Sequence, residues 1–236
     1  MEERTIERKW FNYFSNMRNK YNMRLSENKP IVVSLNAKYA FEKNRDLLYE
    51  KENKFYETME HVVKHFTTRY SCVAIWGYNE ISFVIEKTGN FIETINNEKN
   101  YRTHDIASIF SQYFFEHFNK LYEEEDVYWN CRCFNIKTEK ILSYLKFKSK
   151  EIQKKVISNF LKKKVIEENR MSLVEKLKKC KEYEEFRNIE ECEEGLLYYI
   201  GKKIDLHEYL NGRIIVLKDN KVSEDFFDLT NFDNLL

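Results

Sequence analysis

Two polar turns in the sequence carry the residues best suited to bind a cation or a ligand. Asn36 follows the apolar run at residues 31–35, and Asn79 and Glu80 lie between two runs rich in β-branched and aromatic residues. An amide oxygen can coordinate a divalent cation but brings no charge, so Glu80 is the anionic member of this set. Asparagine is also common at strand ends because it tolerates turn geometry. The residue types alone therefore allow either a weak cation site or two ordinary turns.

The elements that must position these residues follow the order strand, helix, two strands, helix, strand. Four apolar runs predict the strands, at residues 31–36, 71–76, 81–86 and 128–136. The middle two form a hairpin closed by the connection 77–80, and apolar residues recur at helical spacing over residues 53–66 and 103–122. This order predicts an α+β fold, a split βαβ (ferredoxin-like) antiparallel sheet with helices on one face. In that fold Asn36 and the hairpin turn meet at one edge of the sheet.

On this plan the chain has three parts that belong to one globular unit. They are an amphipathic N-terminal helix (1–29), the sheet domain (30–136), and a helical extension with closing strands (137–236). The N-terminal helix has an apolar stripe made of Ile6, Trp10, Phe14, Met17 and Tyr21. Such a stripe has to be covered by the sheet domain or by a partner subunit. In the extension, residues 152–181 are predicted to be mostly helix, and residues 196–200 and 213–218 are predicted to pair as strands.

Lysines are concentrated between residues 137 and 164, where ten of them stand against the two acids Glu139 and Glu151. A basic helix with Phe147 and Phe160 interleaved is able to follow an RNA backbone. A solvated helix face has the same composition. Both interpretations stand on the sequence.

Bulk composition gives few further signals. The net charge is +1 and the isoelectric point about 7.6, so overall electrostatics do not indicate a nucleic-acid binder. The sequence has no glycine-rich phosphate loop, and its five cysteines form no Cys-x-x-Cys pair. Reduced thiols and a cytoplasmic location without membrane association are the expectation.

Five segments, taken in order, resemble the tRNA-His guanylyltransferase family. They are Ser-Leu-Asn-Ala-Lys (34–38), Tyr-Asn-Glu-Ile-Ser-Phe-Val (78–84), Trp-Asn-Cys-Arg (129–132), Tyr-Leu-Lys-Phe-Lys-Ser-Lys-Glu (144–151) and Tyr-Leu-Asn-Gly-Arg-Ile-Ile (209–215). The family shows Arg-x-Asp-Gly-Arg, Ser-Asp-Glu, Phe-Asp-x-Arg, Tyr-Leu-x-Trp-Arg-Gln-x-Asp and Tyr-Arg-Lys-Gly-Thr-Val-Leu at these places. The resemblance spans residues 30–216 and lies in the order and spacing of the segments, because no single motif is intact.

The resemblance implies a palm-like nucleotidyltransferase domain that has lost its metal ligands. Members of the family add a nucleotide to the 5′ end of tRNA, using two magnesium ions held by two aspartates and a backbone carbonyl. Here Asn36 and Asn79 replace the aspartates, and Ala37 supplies the carbonyl. Two-metal catalysis needs anionic oxygen ligands. The resemblance therefore implies degenerate catalytic positions at Asn36, Asn79 and Glu80, with magnesium absent or weakly bound.

The same resemblance implies which residues bind ligands. GTP or ATP would contact Ala37, Lys38, Glu52 and Tyr78, and tRNA or another RNA would contact Arg132, Lys148, Lys154 and Lys155. Some phosphate-binding positions have changed as well, since Ser34 stands where the family has arginine. Loss of metal ligands together with phosphate ligands points to a retired active site.

Three functions follow from these observations. The first is a catalytically impaired homologue that binds nucleotide or RNA. The second is a weakly active, metal-dependent nucleotidyltransferase acting on the 5′ end of tRNA, with Glu80 and Glu52 helping to hold one metal. The third is a protein-interaction, defence or regulatory subunit that uses the palm as a scaffold. The family also implies a homodimer or homotetramer.

Overall fold

The computed structural model describes most of the chain in segments separated by gaps. The segments are residue 10 and residues 12–16, 24–26, 28–38, 54–70, 72–85, 102–123, 126–164, 171–186, 194–199 and 202–210.

Strands and helices follow one another in the predicted order. The elements are β1 (Ile31–Lys38), α1 (Lys54–Tyr70), β2 (Val73–Gly77), β3 (Glu80–Ile85), α2 (Thr103–Tyr122), β4 (Tyr128–Asn135), α3 (Ile141–Lys163), α4 (Leu173–Lys181), β5 (Leu196–Tyr199), β6 (Lys202–Ile204) and α5 (Leu206–Leu210). The strand, helix, hairpin, helix, strand plan is confirmed. β1 continues past Asn36, so this residue lies inside the strand and its backbone is fixed by pairing on both sides.

The described strands form one antiparallel sheet in the order β4, β1, β3, β2, β5, β6. β1 lies between β3 and β4, which places Asn36 opposite Glu80 on one side and opposite Asn130 on the other. β5 pairs with β2, so the C-terminal part of the chain adds strands to the same sheet. The predicted α+β class with an antiparallel sheet is confirmed.

Side chains alternate along the strands, and different helices cover the two faces of the sheet. On the first face Phe83 of β3 contacts Phe66 of α1 and Phe114 of α2, with ring centroids 4.2 and 5.5 Å apart. On the second face Val32 of β1 packs in a cluster with residues of α3. The two helices of the palm-like part therefore share one face, as predicted, and the C-terminal extension covers the other.

α3 is the element that brings polar side chains to the second face. It begins at Ile141, after a short 3-10 turn at Thr138–Lys140, and therefore starts earlier than the helix predicted from residue 152. Leu145, Ile152 and Val156 are buried and hold the helix against the sheet. The added turns carry residues 144–151 onto the helix, and these residues reach the candidate site.

The N-terminal segment packs on α3. Residue 10 and residues 12–16 are helical, and Phe14 is fully buried with its ring centroid 5.3 Å from that of Tyr144 and 5.2 Å from that of Phe147. The apolar stripe is thus covered within the same chain at Phe14. Three members of the stripe lie outside the described residues, and they are Ile6, Met17 and Tyr21.

The predicted pairing of residues 196–200 with residues 213–218 is wrong for the described strand. β5 pairs with β2 along one edge and with β6 along the other, so both of its edges are occupied. The partner β6 follows almost directly in sequence, and closing a short connection loses less chain entropy than closing a longer one. Residues 213–218 lie outside the described residues.

None of the helices in the described segments combines the length and the apolar composition needed to span a lipid bilayer.

Two glycines allow α3 to approach the sheet closely. A Cβ atom at Gly77 would lie 2.6 Å from Ile152 Cγ2 and 3.1 Å from the Cα of Gly195. A Cβ atom at Gly195 would lie 2.8 Å from Ile152 Cδ1, and Gly195 also has a φ of +93°, which L side chains rarely adopt. Ile152 therefore rests directly on backbone, and the position of α3 over the sheet depends on this contact.

The substitution Gly77→Ala should lower the free energy of unfolding by about 1–3 kcal/mol, because the new methyl group overlaps Ile152. Urea denaturation measures the change. Combining it with Ile152→Ala should cost less than the sum of the two single substitutions, since the second removes the clash. Fully additive costs would mean that this contact does not set the spacing between α3 and the sheet.

Candidate functional site

The candidate site forms where β1 meets the hairpin of β2 and β3. Glu80 is the first residue of β3 and lies opposite Asn36, and the two-residue turn Tyr78–Asn79 joins β2 to β3. Tyr78 has a φ of 57°, a left-handed conformation that is uncommon for a large side chain. The backbone N–H of Ala37 donates to the carbonyl of Asn79 at 2.9 Å and fixes the turn against β1. The structure thus brings Asn36, Ala37, Asn79 and Glu80 together, as the sequence predicts.

The two asparagines bond to each other instead of leaving their oxygens open. Asn79 Nδ2 donates to Asn36 Oδ1 at 3.3 Å and to the carbonyl oxygen of Ala37 at 3.2 Å. Asn36 Nδ2 in turn donates to Glu80 Oε1 at 3.0 Å. Turning the Asn79 amide over would place its oxygen against two other oxygens, so the hydrogen-bond network fixes its orientation. An amide nitrogen therefore donates to the side-chain oxygen of Asn36 and the carbonyl oxygen of Ala37, two groups that the resemblance names as metal ligands.

Two lysines from α3 bind the carboxylate of Glu80. Lys148 Nζ lies 2.6 Å from Glu80 Oε2 and 3.2 Å from Glu151 Oε2, and its side chain has no exposed surface. Lys155 Nζ forms an ion pair with Glu80 Oε1, and this side chain is 37% exposed. Residues three, four and seven apart lie on one face of a helix, which is why α3 can present Lys148, Glu151 and Lys155 together.

These contacts keep Glu80 and Lys148 charged at neutral pH. Burial raises the pKa of Glu80, but the ammonium groups of Lys148 and Lys155 outweigh it and lower this pKa to about 2. Burial lowers the pKa of Lys148, and Glu80, Tyr144 and Glu151 raise it by more, so the net shift is upward. The site holds a compensated ion-pair cluster of two ammonium groups and two carboxylates.

A row of hydrogen-bonded hydroxyl groups links α3 to β3 and β1. Tyr144 O–H donates to Ser82 Oγ at 3.0 Å, and Ser82 O–H donates to Ser34 Oγ at 3.2 Å. Ser34 stands where the resemblance implies arginine. The hydroxyl group of Ser34 is short, and it forms its hydrogen bond with Ser82 inside the protein.

The residues present do not fit a magnesium site. Magnesium is bound by hard oxygen ligands that include carboxylates. Here the nitrogen of Asn79 lies between Asn36 Oδ1 and the Ala37 carbonyl, and both oxygens of Glu80 accept bonds from nitrogen. Asn79 Oδ1 is buried without a hydrogen-bond partner in the described part of the chain, but it is a single neutral oxygen. Within the described segments, moreover, His, Cys, Asp and Glu side chains form no group of three or more able to hold a metal.

Solved structures of similar proteins support the guanylyltransferase comparison, whereas no protein-family model and no curated protein matches the chain. A bacterial tRNA(His) guanylyltransferase (Thg1)-like protein in complex with ATP aligns with a TM-score of 0.55 and 14% identity over 79% of this chain and 82% of that chain. The chain has the tRNA(His) guanylyltransferase fold. A structure of a bacterial guanylyltransferase-like protein in complex with GTP gives a TM-score of 0.56 and 13% identity over 82% of this chain and 83% of that chain.

The Saccharomyces cerevisiae tRNA(His) guanylyltransferase shares the fold as well, with a TM-score of 0.51 and 18% identity over 82% of this chain and 94% of that chain. The predicted palm-like architecture is thus confirmed by similar structures that align with about four fifths of this chain. Four of the five resembling segments lie on β1, the β2–β3 hairpin, β4 and α3, in the order of these elements along the chain. All four elements border the candidate site.

The remaining predicted ligand-binding residues lie in different surroundings. Arg132 on β4 is exposed and lies opposite Ser34, and Lys154 on α3 is exposed too. Tyr78 is partly buried and packs against the core of the second face. Lys38 is the last residue of β1, and Glu52 lies outside the described residues.

The structure differs from the prediction at Lys148, which was expected to contact RNA. Its side chain is fully buried and bonded to two carboxylates, so it has no surface to offer an RNA backbone. The lysine-rich composition of residues 137–164 does not by itself distinguish buried Lys148 from its exposed neighbours. The signal that separates Lys148 from its neighbours is helical spacing, because Lys148 and Lys155 share a face with buried Leu145, Ile152 and Val156.

The substitution Glu80→Gln should lower the free energy of unfolding by about 3–5 kcal/mol at pH 7, because it leaves the buried Lys148 ammonium without one of its counter-charges. The depressed pKa of Glu80 contributes stability above its ordinary value of 4.5, and this contribution is lost as pH falls towards about 2. The difference between wild type and variant should therefore shrink between pH 5 and pH 2 in urea denaturation. Glu57→Gln, at an exposed position of α1, is the control. A difference that does not change with pH would contradict the ion-pair assignment.

Proposed function

We propose that the chain is a divergent homologue of the tRNA(His) guanylyltransferases that has lost metal-dependent catalysis and acts by binding nucleotide or RNA. We call the site formed by Asn36, Ala37, Asn79 and Glu80 the catalytic corner. The observation that carries this proposal is that nitrogen donors occupy this corner. Asn79 Nδ2 bridges Asn36 and Ala37, and Lys148 and Lys155 hold the carboxylate of Glu80. Two-metal transfer of a nucleotide needs anionic ligands at these positions.

Electrostatics support impaired catalysis. The attraction between unit charges about 4 Å apart is on the order of 4 kcal/mol at an effective dielectric constant of about 20. Replacing two carboxylates by amides removes two such attractions for a divalent ion. Every 1.4 kcal/mol or so is a factor of about ten, so metal affinity should fall by several orders of magnitude. The ammonium groups of Lys148 and Lys155 add repulsion towards any ion that approaches Glu80.

Retained binding is proposed from the exposed cations beside the corner. Arg132 lies on β4 next to Ser34, Lys155 is partly exposed, and Lys154 is exposed on α3. Basic side chains in such positions are able to contact phosphate oxygens. Two of the structurally similar proteins contain ATP or GTP, which gives the choice of nucleotides to test. Binding of tRNA, assembly as a homodimer or homotetramer, and a cytoplasmic location remain predictions from the sequence.

A thermal-shift panel with ATP, GTP and tRNA, each with magnesium and with EDTA, tests the proposal. A ligand present at 100 times its dissociation constant stabilises the folded state by about 2.7 kcal/mol, which corresponds to several degrees for a chain of this size. We expect stabilisation by a nucleotide or tRNA in EDTA, and no magnesium-dependent transfer of GTP to tRNA. A shift and product formation that require magnesium would favour the weakly active enzyme. No shift with any of these ligands would favour the protein-interaction module.

The double substitution Asn36→Asp with Asn79→Asp should raise affinity for Mn²⁺, used as a magnesium analogue, because it restores two anionic ligands. Adding Lys155→Gln should raise the affinity further, since it removes an ammonium group from Glu80. Isothermal titration calorimetry measures both steps. The step from the double to the triple variant tests the pairing of Lys155 with Glu80. An affinity for Mn²⁺ that is unchanged at both steps would show that these positions do not form the cation site.

A further inference from the structure

The two lysines that bind Glu80 are not equivalent. Lys148 is fully buried and bonded to Glu80 Oε2 and Glu151 Oε2. Lys155 is 37% exposed, and its described ion pair is with Glu80 Oε1 alone. A lysine ammonium sits on a flexible four-carbon stem and can turn to a new partner. Lys155 is therefore the member of the pair that can reach a ligand from solvent.

Glu80 keeps its hydrogen bonds when Lys155 leaves. Oε2 retains Lys148 at 2.6 Å, and Oε1 retains the amide N–H of Asn36 at 3.0 Å. An unpaired buried carboxylate would be strongly unfavourable, but here one ammonium and one amide remain on it. An aspartate at position 36 has no N–H to donate. The asparagine thus does more than remove a metal ligand, because it makes release of Lys155 possible.

We propose that Lys155 is an exchangeable cation which leaves Glu80 and binds the polyphosphate chain of a nucleoside triphosphate without a metal ion. This inference rests on the proposed function and assigns the group that recognises the ligand. A polyphosphate carries several negative charges and competes well for an ammonium group whose carboxylate partner is already compensated. The exposed guanidinium of Arg132, opposite Ser34 on the adjacent strand, lies on the same side of β1 as Asn36 and adds a second cation for the phosphates.

Magnesium should oppose this mode of binding. A magnesium ion bound to the phosphates neutralises the charge that attracts Lys155, and it finds no anionic ligand free at the corner. In an active metal site the same ion bridges protein and phosphates and strengthens binding. The sign of the magnesium effect therefore separates the two modes.

The test is calorimetric titration of the full chain in EDTA with ATP, GTP and inorganic tripolyphosphate. Wild type should bind the nucleotides and tripolyphosphate, and Lys155→Met should weaken all of these interactions roughly ten- to a hundred-fold, as expected for one charge-assisted contact. Lys155→Arg should retain most of the affinity. Lys146→Met is the matched control, because Lys146 is exposed on the same helix and lies on its opposite side. Its affinities should equal those of wild type.

The substitution Asn36→Asp tests the exchange with Lys155 still in place. It adds a carboxylate beside Lys155 and removes the donor that would remain on Glu80, so affinity for tripolyphosphate in EDTA should fall as well. If the wild type binds none of these ligands and does not bind tRNA, the proposed function is refuted. Wild-type binding that Lys155→Met and Asn36→Asp leave unchanged would refute the exchange alone. Binding of nucleotides without binding of tripolyphosphate would also refute it, because recognition would then lie in the base or the sugar.

Discussion

The buried carboxylate of Glu80 is the constraint on which this region of the molecule depends. A side chain with 7% exposure cannot keep a negative charge unless neighbouring groups replace the water it has lost. The strand register places Asn36 opposite Glu80, and α3, which packs on the second face of the sheet, places Lys148 and Lys155 against its carboxylate. The sheet and the helix are consequently locked in one relative position by charge, and the apolar contact of Ile152 with the backbone of Gly77 and Gly195 works in the same direction.

Asn36, Asn79, Glu80 and the two lysines of α3 make chemical sense only as a set. Carboxylates at positions 36, 79 and 80 would repel one another in the absence of a cation, since like charges in one site disfavour ionisation. With amides at two of them, a continuous chain of hydrogen bonds runs from the Ala37 carbonyl through Asn79 and Asn36 to Glu80. The lysines then neutralise the one charge that is left.

Sequence patterns predict the order of the first strands and helices, but they do not predict the start of α3, the pairing of β5 or the ion pairs. The period of apolar residues predicts β1, the hairpin and α2 closely, and the resemblance correctly groups Asn36, Ala37 and Asn79. The partner of Glu80 could not be deduced, because Lys148 is 68 residues away and lysine is ordinarily an exposed residue. The pairing of β5 with β6 is not predictable from composition for a different reason: β6 is the short segment Lys-Lys-Ile, whose two lysines are exposed, so it lacks the apolar pattern that marks a strand.

The cations at this corner are the ammonium groups of Lys148 and Lys155, which are covalently attached to the polypeptide. A free ion is bound by mass action and leaves when its concentration drops, whereas a tethered ammonium group has a high effective concentration that dilution does not change. The integrity of the corner is therefore independent of the supply of divalent ions. The two lysines of α3 supply the positive charge that Glu80 needs, so depletion of magnesium should leave the corner intact.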